Sequence, residues 1–154
     1  MFFCTGDKNL KIIETEIQID ASPERVWTIL TDLDKYSEWN PFIKSAEGKV
    51  IEGEKLEVRI SPPNKKEMSF KPTVLTAKAN AEFRWLGQLI FPGIFDGEHV
   101  FTVTANEKGS ILVQKEMFKG ILVPIVWSSM AKNTKEGFEL MNRALKKRAE
   151  EAGK

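Results

Sequence analysis

His99 and Cys4 are the only histidine and the only cysteine in 154 residues. That inventory argues against a histidine-rich metal site, a cysteine-based zinc cluster and Cys–His catalysis. The carboxylates show no calcium-loop spacing. Gly48-Lys49-Val50-Ile51-Glu52-Gly53-Glu54 has the glycine spacing of a phosphate loop, but Glu54 stands where phosphate needs lysine. No Gly-x-Ser-x-Gly elbow, His-Glu-x-x-His helix or dinucleotide fingerprint occurs. No metal and no cofactor are expected. What remains is the chemistry of His99 and whatever carboxylate reaches it.

Phe95, Gly97, His99, Phe101 and Val103 alternate along one strand face, with Asp96, Glu98, Val100 and Thr102 on the other. The aromatic-rich face is the interior one, which buries His99. If the Asn106–Gly109 turn closes with two central residues, His99 stands opposite Glu116, Phe101 opposite Gln114 and Val103 opposite Leu112. A three-residue loop with a bulge at Gly109 shifts the pairing by one. The first register is favoured because it places Leu112 and Phe118 inside. A His–Glu pair in an apolar space can orient a polar ligand head or act as an acid–base couple. Its bland alternative is a satisfied internal pair that only pins the sheet.

The elements that must position this pair follow from hydropathy. Ile13, Thr15, Ile17 and Ile19 share one face of an opening strand. Ser22, Pro23 and Glu24 are a helix cap, a first-turn proline and an acidic first turn. Val26, Ile29, Leu30 and Leu33 form that helix's apolar stripe. A second short helix begins at Asp34 and ends at Asn40-Pro41. Strands are predicted near Ile43–Lys49, Lys55–Ser61, Glu67–Ala77, Glu82–Ile90, Gly97–Ala105 and Ser110–Lys119, joined by short turns and so antiparallel. Trp127 to about Ala149 is one amphipathic helix, with Met130, Phe138 and Met141 on its apolar side. The fold class is α+β, with a seven-stranded antiparallel curved sheet wrapped around a long C-terminal helix and two short helices after the first strand. Residues 11–150 are expected to form one domain, residues 1–10 a poorly ordered segment and residues 151–154 a tail.

In a meander, alternate connections fall at the same end. The Pro62-Pro63-Asn64 turn, the Phe91–Asp96 loop and the Gly120–Val126 segment therefore share an end. Two of them are strongly apolar, with Phe91, Pro92, Gly93 and Ile94 in one and Leu122 and Pro124 in the other. Loops are usually polar, so this grouping needs a reason. They plug the core, ring the mouth of a hydrophobic pocket, or contact a membrane or protein. Pocket-lining candidates from the two helices and first meander strands are Trp39, Phe42, Val58, Ile60 and Phe70. The later strands add Phe83, Trp85, Phe95, His99, Phe101, Gln114, Glu116 and Phe118, and the final helix adds Trp127, Met130, Phe138 and Met141. Taken one at a time, most aromatics in such a set are core.

Composition sets the outer bounds. A hydrophobic share of 42% with 29% charged residues belongs to a globular chain. The formal charge of +1 lacks the basic footprint of a general nucleic-acid binder. No run is long and apolar enough to span a bilayer, and the first eight residues do not read as a signal peptide. A cytoplasmic monomer or weak dimer is the default expectation.

The run Asp20-Ala21-Ser22-Pro23-Glu24-Arg25-Val26-Trp27, with the order of elements, resembles the START-like superfamily (SRPBCC, the helix-grip or Bet v 1-like fold). Asp34-Lys35-Tyr36-Ser37-Glu38-Trp39-Asn40-Pro41-Phe42, Gly97-Glu98-His99-Val100-Phe101 and Glu116-Met117-Phe118-Lys119-Gly120-Ile121-Leu122 narrow the likeness to its polyketide cyclase/dehydrase branch. The resemblance spans about Ile12 to Ala149. It implies a hydrophobic cavity between sheet and long helix, with mobile mouth loops near Pro63 and Gly93. It also implies a lipid, polyketide or aromatic ligand. Three functions follow. The first is binding or transport of a small hydrophobic molecule. The second is a metal-free cyclase or dehydratase using His99 and Glu116. The third is a module that contacts a membrane or protein through its apolar rim.

Overall fold

β1 (Lys11–Ile19) forms where the sequence alternates, with Ile13, Thr15 and Ile19 buried and Ile12, Glu14 and Glu16 exposed. These assignments come from a computed structural model that describes residues 9–151. The expectation for the N-terminal segment thus falls mostly outside the described residues, as do Cys4 and residues 152–154. α1 (Pro23–Thr31) starts as its sequence requires: the Arg25 N–H donates to Ser22 Oγ at 3.2 Å, and Pro23 occupies the first turn. Val26, Ile29 and Leu30 form its buried stripe. A 3₁₀ turn over Leu33–Lys35 leads into α2 (Tyr36–Trp39). The Tyr36 hydroxyl donates to the Leu30 carbonyl, and complete burial pushes that phenol far above its ordinary range. Asn40 then turns the chain, its Oδ1 accepting the N–H groups of Phe42 at 3.0 Å and Ile43 at 2.8 Å.

The remaining elements are β2 (Ile43–Glu47), β3 (Glu57–Ile60), β4 (Met68–Phe70), β5 (Thr73–Lys78), β6 (Glu82–Leu89), β7 (Phe95–Asn106), β8 (Gly109–Lys119) and α3 (Val123–Glu151). All strand pairs are antiparallel, in two sheets ordered β1-β8-β7-β6-β5 and β2-β3-β4. Among the described residues, eight strands thus replace the expected seven. The difference lies at Lys71-Pro72, where the single strand read over Glu67–Ala77 is cut in two. Pro72 has no N–H to give a ladder. Its carbonyl still accepts the Leu56 N–H at 2.9 Å, and a lone Lys55–Thr73 bridge joins the two sheets there. The antiparallel sheet with a long C-terminal helix is otherwise as expected.

The second difference is the start of α3, at Val123 rather than Trp127. Pro124 sits in the first turn, where a missing N–H costs nothing, so an apolar run without helical period still begins a helix. α3 packs on β1, α1 and β8, burying Phe138, Met141, Leu145 and Ala149. Gly137 lets the helix approach the Asn40 turn: a Cβ there would meet the Phe42 ring at 2.4 Å. No helix among the described residues is long and apolar enough to cross a membrane.

The β7–β8 hairpin takes the two-residue turn. Asn106 pairs with Gly109, and the ladder then sets Val103 opposite Leu112, Phe101 opposite Gln114 and His99 opposite Glu116. Gly109 is wedged at φ +140°, where a Cβ would lie 2.5 Å from the Ile19 carbonyl oxygen and 2.6 Å from the Ala21 nitrogen. Only glycine fits there, and both obstacles are backbone. β1 closes the other side of β8, with Ile13 opposite Glu116 and Thr15 opposite Gln114.

Candidate functional site

The interior face of β6, β7 and β8 can be followed rung by rung. At the closed end, Phe83 pairs with Phe101 and Phe101 with Gln114, all three with no exposed surface. The next rung carries Trp85, His99 and Glu116; the one after it carries Gly87, Gly97 and Phe118. Two glycines face one another where large side chains stood two residues earlier, and neighbouring side chains lie over both: a Cβ on Gly87 would be 3.3 Å from the Phe70 ring and one on Gly97 2.5 Å from Glu116 Oε1. Both glycines border a cavity of about 630 Å³, inside the range of roughly 300–1,000 Å³ usual for small-molecule sites.

Of the sequence-predicted lining residues, Phe42, Ile60, Phe70, Trp85, Phe95, His99, Glu116, Phe118 and Met130 border this cavity. Val58, Phe83, Phe101, Gln114, Phe138 and Met141 do not border it; they are buried in the solid core. Trp39 packs edge-on against Tyr36 at 5.2 Å, and Trp127 against Phe118 at 5.7 Å, each outside the cavity wall. The sequence reading missed Ile43, Gly87, Leu89, Ile90, Gly97, Val126, Ser129 and Thr134, and the lip residues Lys65 to Met68. Gly87 and Gly97 had a readable signal, because each lies two positions from an inward residue on neighbouring strands. It was overlooked because a residue without a side chain does not read as wall.

The three connections gather at one end. Pro62, Lys65, Ile90, Leu122 and Val126 border the same opening. The Ile121 and Leu122 N–H groups donate to the Gly93 and Ile94 carbonyls, both at 3.1 Å. The Gly93 N–H donates to the Asp96 carboxylate at 3.0 Å. Among the predicted mouth residues, Pro62 and Leu122 border the cavity, while Pro63, Phe91, Pro92, Gly93, Ile94 and Pro124 lie outside its wall. Ile90 holds φ +71° at the rim, a conformation that costs a β-branched residue about 1–3 kcal/mol.

His99 is gripped on every side. Its ring stacks on Phe101 at 4.5 Å and lies 4.9 Å from Phe138 and 5.1 Å from Trp85. Its Nε2 is 3.0 Å from Gln114 Oε1, and its Nδ1 is 3.5 Å from Glu116 Oε2. Gln114 Nε2 donates to Asn142 Oδ1 at 2.7 Å and approaches the Phe138 carbonyl at 3.4 Å. Asn142 Nδ2 donates to Thr15 Oγ1 at 2.9 Å, and Thr15 donates to the Gln114 carbonyl at 3.3 Å. The direction of this chain follows from its ends, because both backbone carbonyls can only accept. Thr15 must donate, so Asn142 presents its amide nitrogen to Thr15 and its oxygen to Gln114. Gln114 then presents its oxygen to His99, whose Nε2 must carry the proton. The only ring nitrogen left over is Nδ1, and it faces Glu116.

With this geometry in place, comparison with known proteins can be stated. Residues 11–150 match the model of the family described as polyketide cyclase/dehydrase and lipid transport. The chain belongs to that family. Solved structures similar to this member of the family include the Zhui aromatase/cyclase of Streptomyces sp. R1128, at TM-score 0.77 and 12% identity over 94% of this chain and 96% of that one. A START superfamily protein of Mycobacterium smegmatis has TM-score 0.71 and 20% identity over 92% and 98% of the two chains. Norcoclaurine synthase of Thalictrum flavum, in complex with a transition-state analogue, has TM-score 0.73 and 16% identity over 94% and 97%. At these identities the likeness is one of fold. No curated protein matches the sequence significantly.

The directed polar chain makes a stability prediction. Asn142→Ala removes the link between Gln114 and Thr15 and strands one buried donor, Gln114 Nε2–H, and one buried acceptor, Thr15 Oγ1, which costs about 2 kcal/mol. Thermal unfolding should show Tm lower by roughly 6 °C. An unchanged Tm would mean that the chain is not closed as described.

Proposed function

We propose that this protein binds or carries a small hydrophobic molecule, of lipid, polyketide or aromatic type, between the sheet and α3. The single observation that carries the reading is a cavity of about 630 Å³ between the sheet and α3, bordered mostly by apolar side chains and open at one end. A core that only needed to be stable would fill that space, since interiors pack to near-crystalline density and unfilled walls forfeit contacts. Membership of a family whose description includes lipid transport points the same way. A cyclase or dehydratase reading would run through His99 and Glu116, because the pair sits on the cavity wall and Nδ1 is the one ring nitrogen free to exchange a proton there.

The test is binding of the fluorescent apolar probe N-phenyl-1-naphthylamine. Wild-type protein should bind it saturably, one probe per chain. Gly87→Leu, whose Cβ alone would lie 3.3 Å from the Phe70 ring, must push that ring toward the cavity and should weaken binding by about tenfold while lowering Tm by only a few degrees, the usual cost of overpacking. Equal affinity in the two proteins would place the probe elsewhere and remove the cavity from the function.

A second reading rests on a separate observation. Ile90, Phe91, Ile121 and Ile125 are 73%, 69%, 64% and 73% exposed, and all stand at the cavity mouth. Such a cluster is the kind of surface that meets an apolar partner. If that partner is a bilayer, wild-type protein should co-sediment with phosphatidylcholine/phosphatidylserine vesicles, and Phe91→Asp with Ile125→Asp should abolish this. Co-sedimentation that survives the double substitution, or none in the wild type, would contradict the membrane reading.

A further inference from the structure

The cavity wall is mostly carbon: apart from Ser129 and Thr134 on α3 and Lys65, Lys66 and Glu67 at the lip, its polar side chains are those of the inner rung. There Glu116 and His99 place a carboxylate and an imidazole beside Trp85, Gly97 and Phe118. Their side chains are only 16% and 4% exposed. The ladder sets them at the end away from the mouth, so a guest entering past Pro62 and Leu122 meets them last.

What this rung offers a guest follows from counting hydrogens. His99 Nε2 is committed as a donor to Gln114, held so by a chain that ends on two backbone carbonyls. Nδ1 faces Glu116 Oε2. Three protonation arrangements leave the second carboxylate oxygen, Oε1, bare. A proton on Nδ1 points at Oε2. A proton on Oε2 points at Nδ1. With neither, both atoms are bare acceptors. A proton placed on Oε1 instead would leave Nδ1 and Oε2 facing lone pair to lone pair and would itself have no acceptor in reach among the described residues. A proton held by this pair therefore sits between Nδ1 and Oε2, and Oε1 has lone pairs and no hydrogen. Oε1 has no hydrogen-bond partner among the described residues, and it lies over the Gly97 backbone, where a Cβ would be 2.5 Å away. The glycine therefore leaves room for an acceptor on the inner wall of the cavity.

We infer that the buried end of the ligand is a hydrogen-bond donor, a hydroxyl or amine on an apolar skeleton, and that the same skeleton ending in carboxylate is rejected from that end. The inference rests on the ligand-binding reading above and adds the polarity of the guest. A donor head can pair with Oε1 in place of whatever water the open cavity admits. A carboxylate head brings lone pairs and negative charge against lone pairs where a bound apolar skeleton has displaced much of that water. An acidic group could still sit at the opposite end, beside the exposed Lys65 and Lys66 of the lip.

The experiment compares 1-decanol with decanoate as competitors of N-phenyl-1-naphthylamine, at about pH 8 where decanoate is ionised. The alcohol is the more apolar of the two, so the readout is not the preference itself but its change on substitution. Wild type, Glu116→Leu and Glu116→Gln are measured in parallel. Glu116→Leu should weaken decanol by about tenfold, since it removes the acceptor. Decanoate should bind both variants at least as tightly as wild type, so the decanol-to-decanoate preference falls by about tenfold or more in Glu116→Leu and falls less, in the same direction, in Glu116→Gln, whose amide oxygen still accepts. A preference unchanged in both, with the probe still bound and displaced, would overturn this inference and leave the cavity reading standing. Failure of the wild type to bind the probe or either competitor would take down the cavity reading and this inference with it.

Discussion

The register of β7 against β8 is the constraint on which the rest depends. A two-residue turn closes at Asn106 and Gly109, and a glycine wedged against the Ile19 and Ala21 backbone holds it there. Side chains alternate along a strand, so a slip by one residue would send Gln114 and Glu116 to the outer face. The buried polar chain and the inner wall of the cavity would both disappear. That single pairing also places Phe101 and Gln114 at the closed end and Gly97 beside Phe118 at the open end. Local turn chemistry thus decides which residues meet some tens of atoms away.

Around that frame the interior is divided. One half is packed solid by Phe83, Phe101, Phe138, Met141 and Leu145, none of which has measurable exposure. The other half is an open cavity that Gly87 and Gly97 border. The polar chain from Thr15 through Asn142 and Gln114 to His99 runs along the boundary and ties β1, β8 and α3 together. Every member is directed, so the imidazole cannot turn without stranding a donor or an acceptor. A rigid polar boundary between a filled core and an open cavity gives a guest one defined place to put its own polar atom.

Much of this could be read in the sequence, and the places where reading stopped have physical causes. The alternation of Phe95 to Val103 and the two-residue turn were enough for the His99–Glu116 pairing, because a period of two leaves only one alternative. The gathering of three connections at one end followed from the parity of a meander. The break at Pro72 was passed over because the flanking residues alternate as one strand would. The helical start at Val123 was passed over because an apolar run hides its period. Phe83, Phe101 and Phe138 could not be told from cavity wall, since an inward aromatic reads the same whether the space beyond it is filled or empty. Gly87 and Gly97 are hard to read for a related reason: their bare backbone lets the Phe70 ring and the Glu116 carboxylate lie close against the sheet, and only the fold shows which side chains those are.

The central claim is that the space beside those glycines is built to be occupied. Native mass spectrometry of freshly expressed protein under gentle conditions addresses it most directly. The account predicts a species heavier than the bare chain by the mass of one small organic molecule, lost on mild activation and missing when Gly87 is replaced by leucine. A wild-type protein that carries no such adduct and gains none when offered apolar alcohols would contradict it.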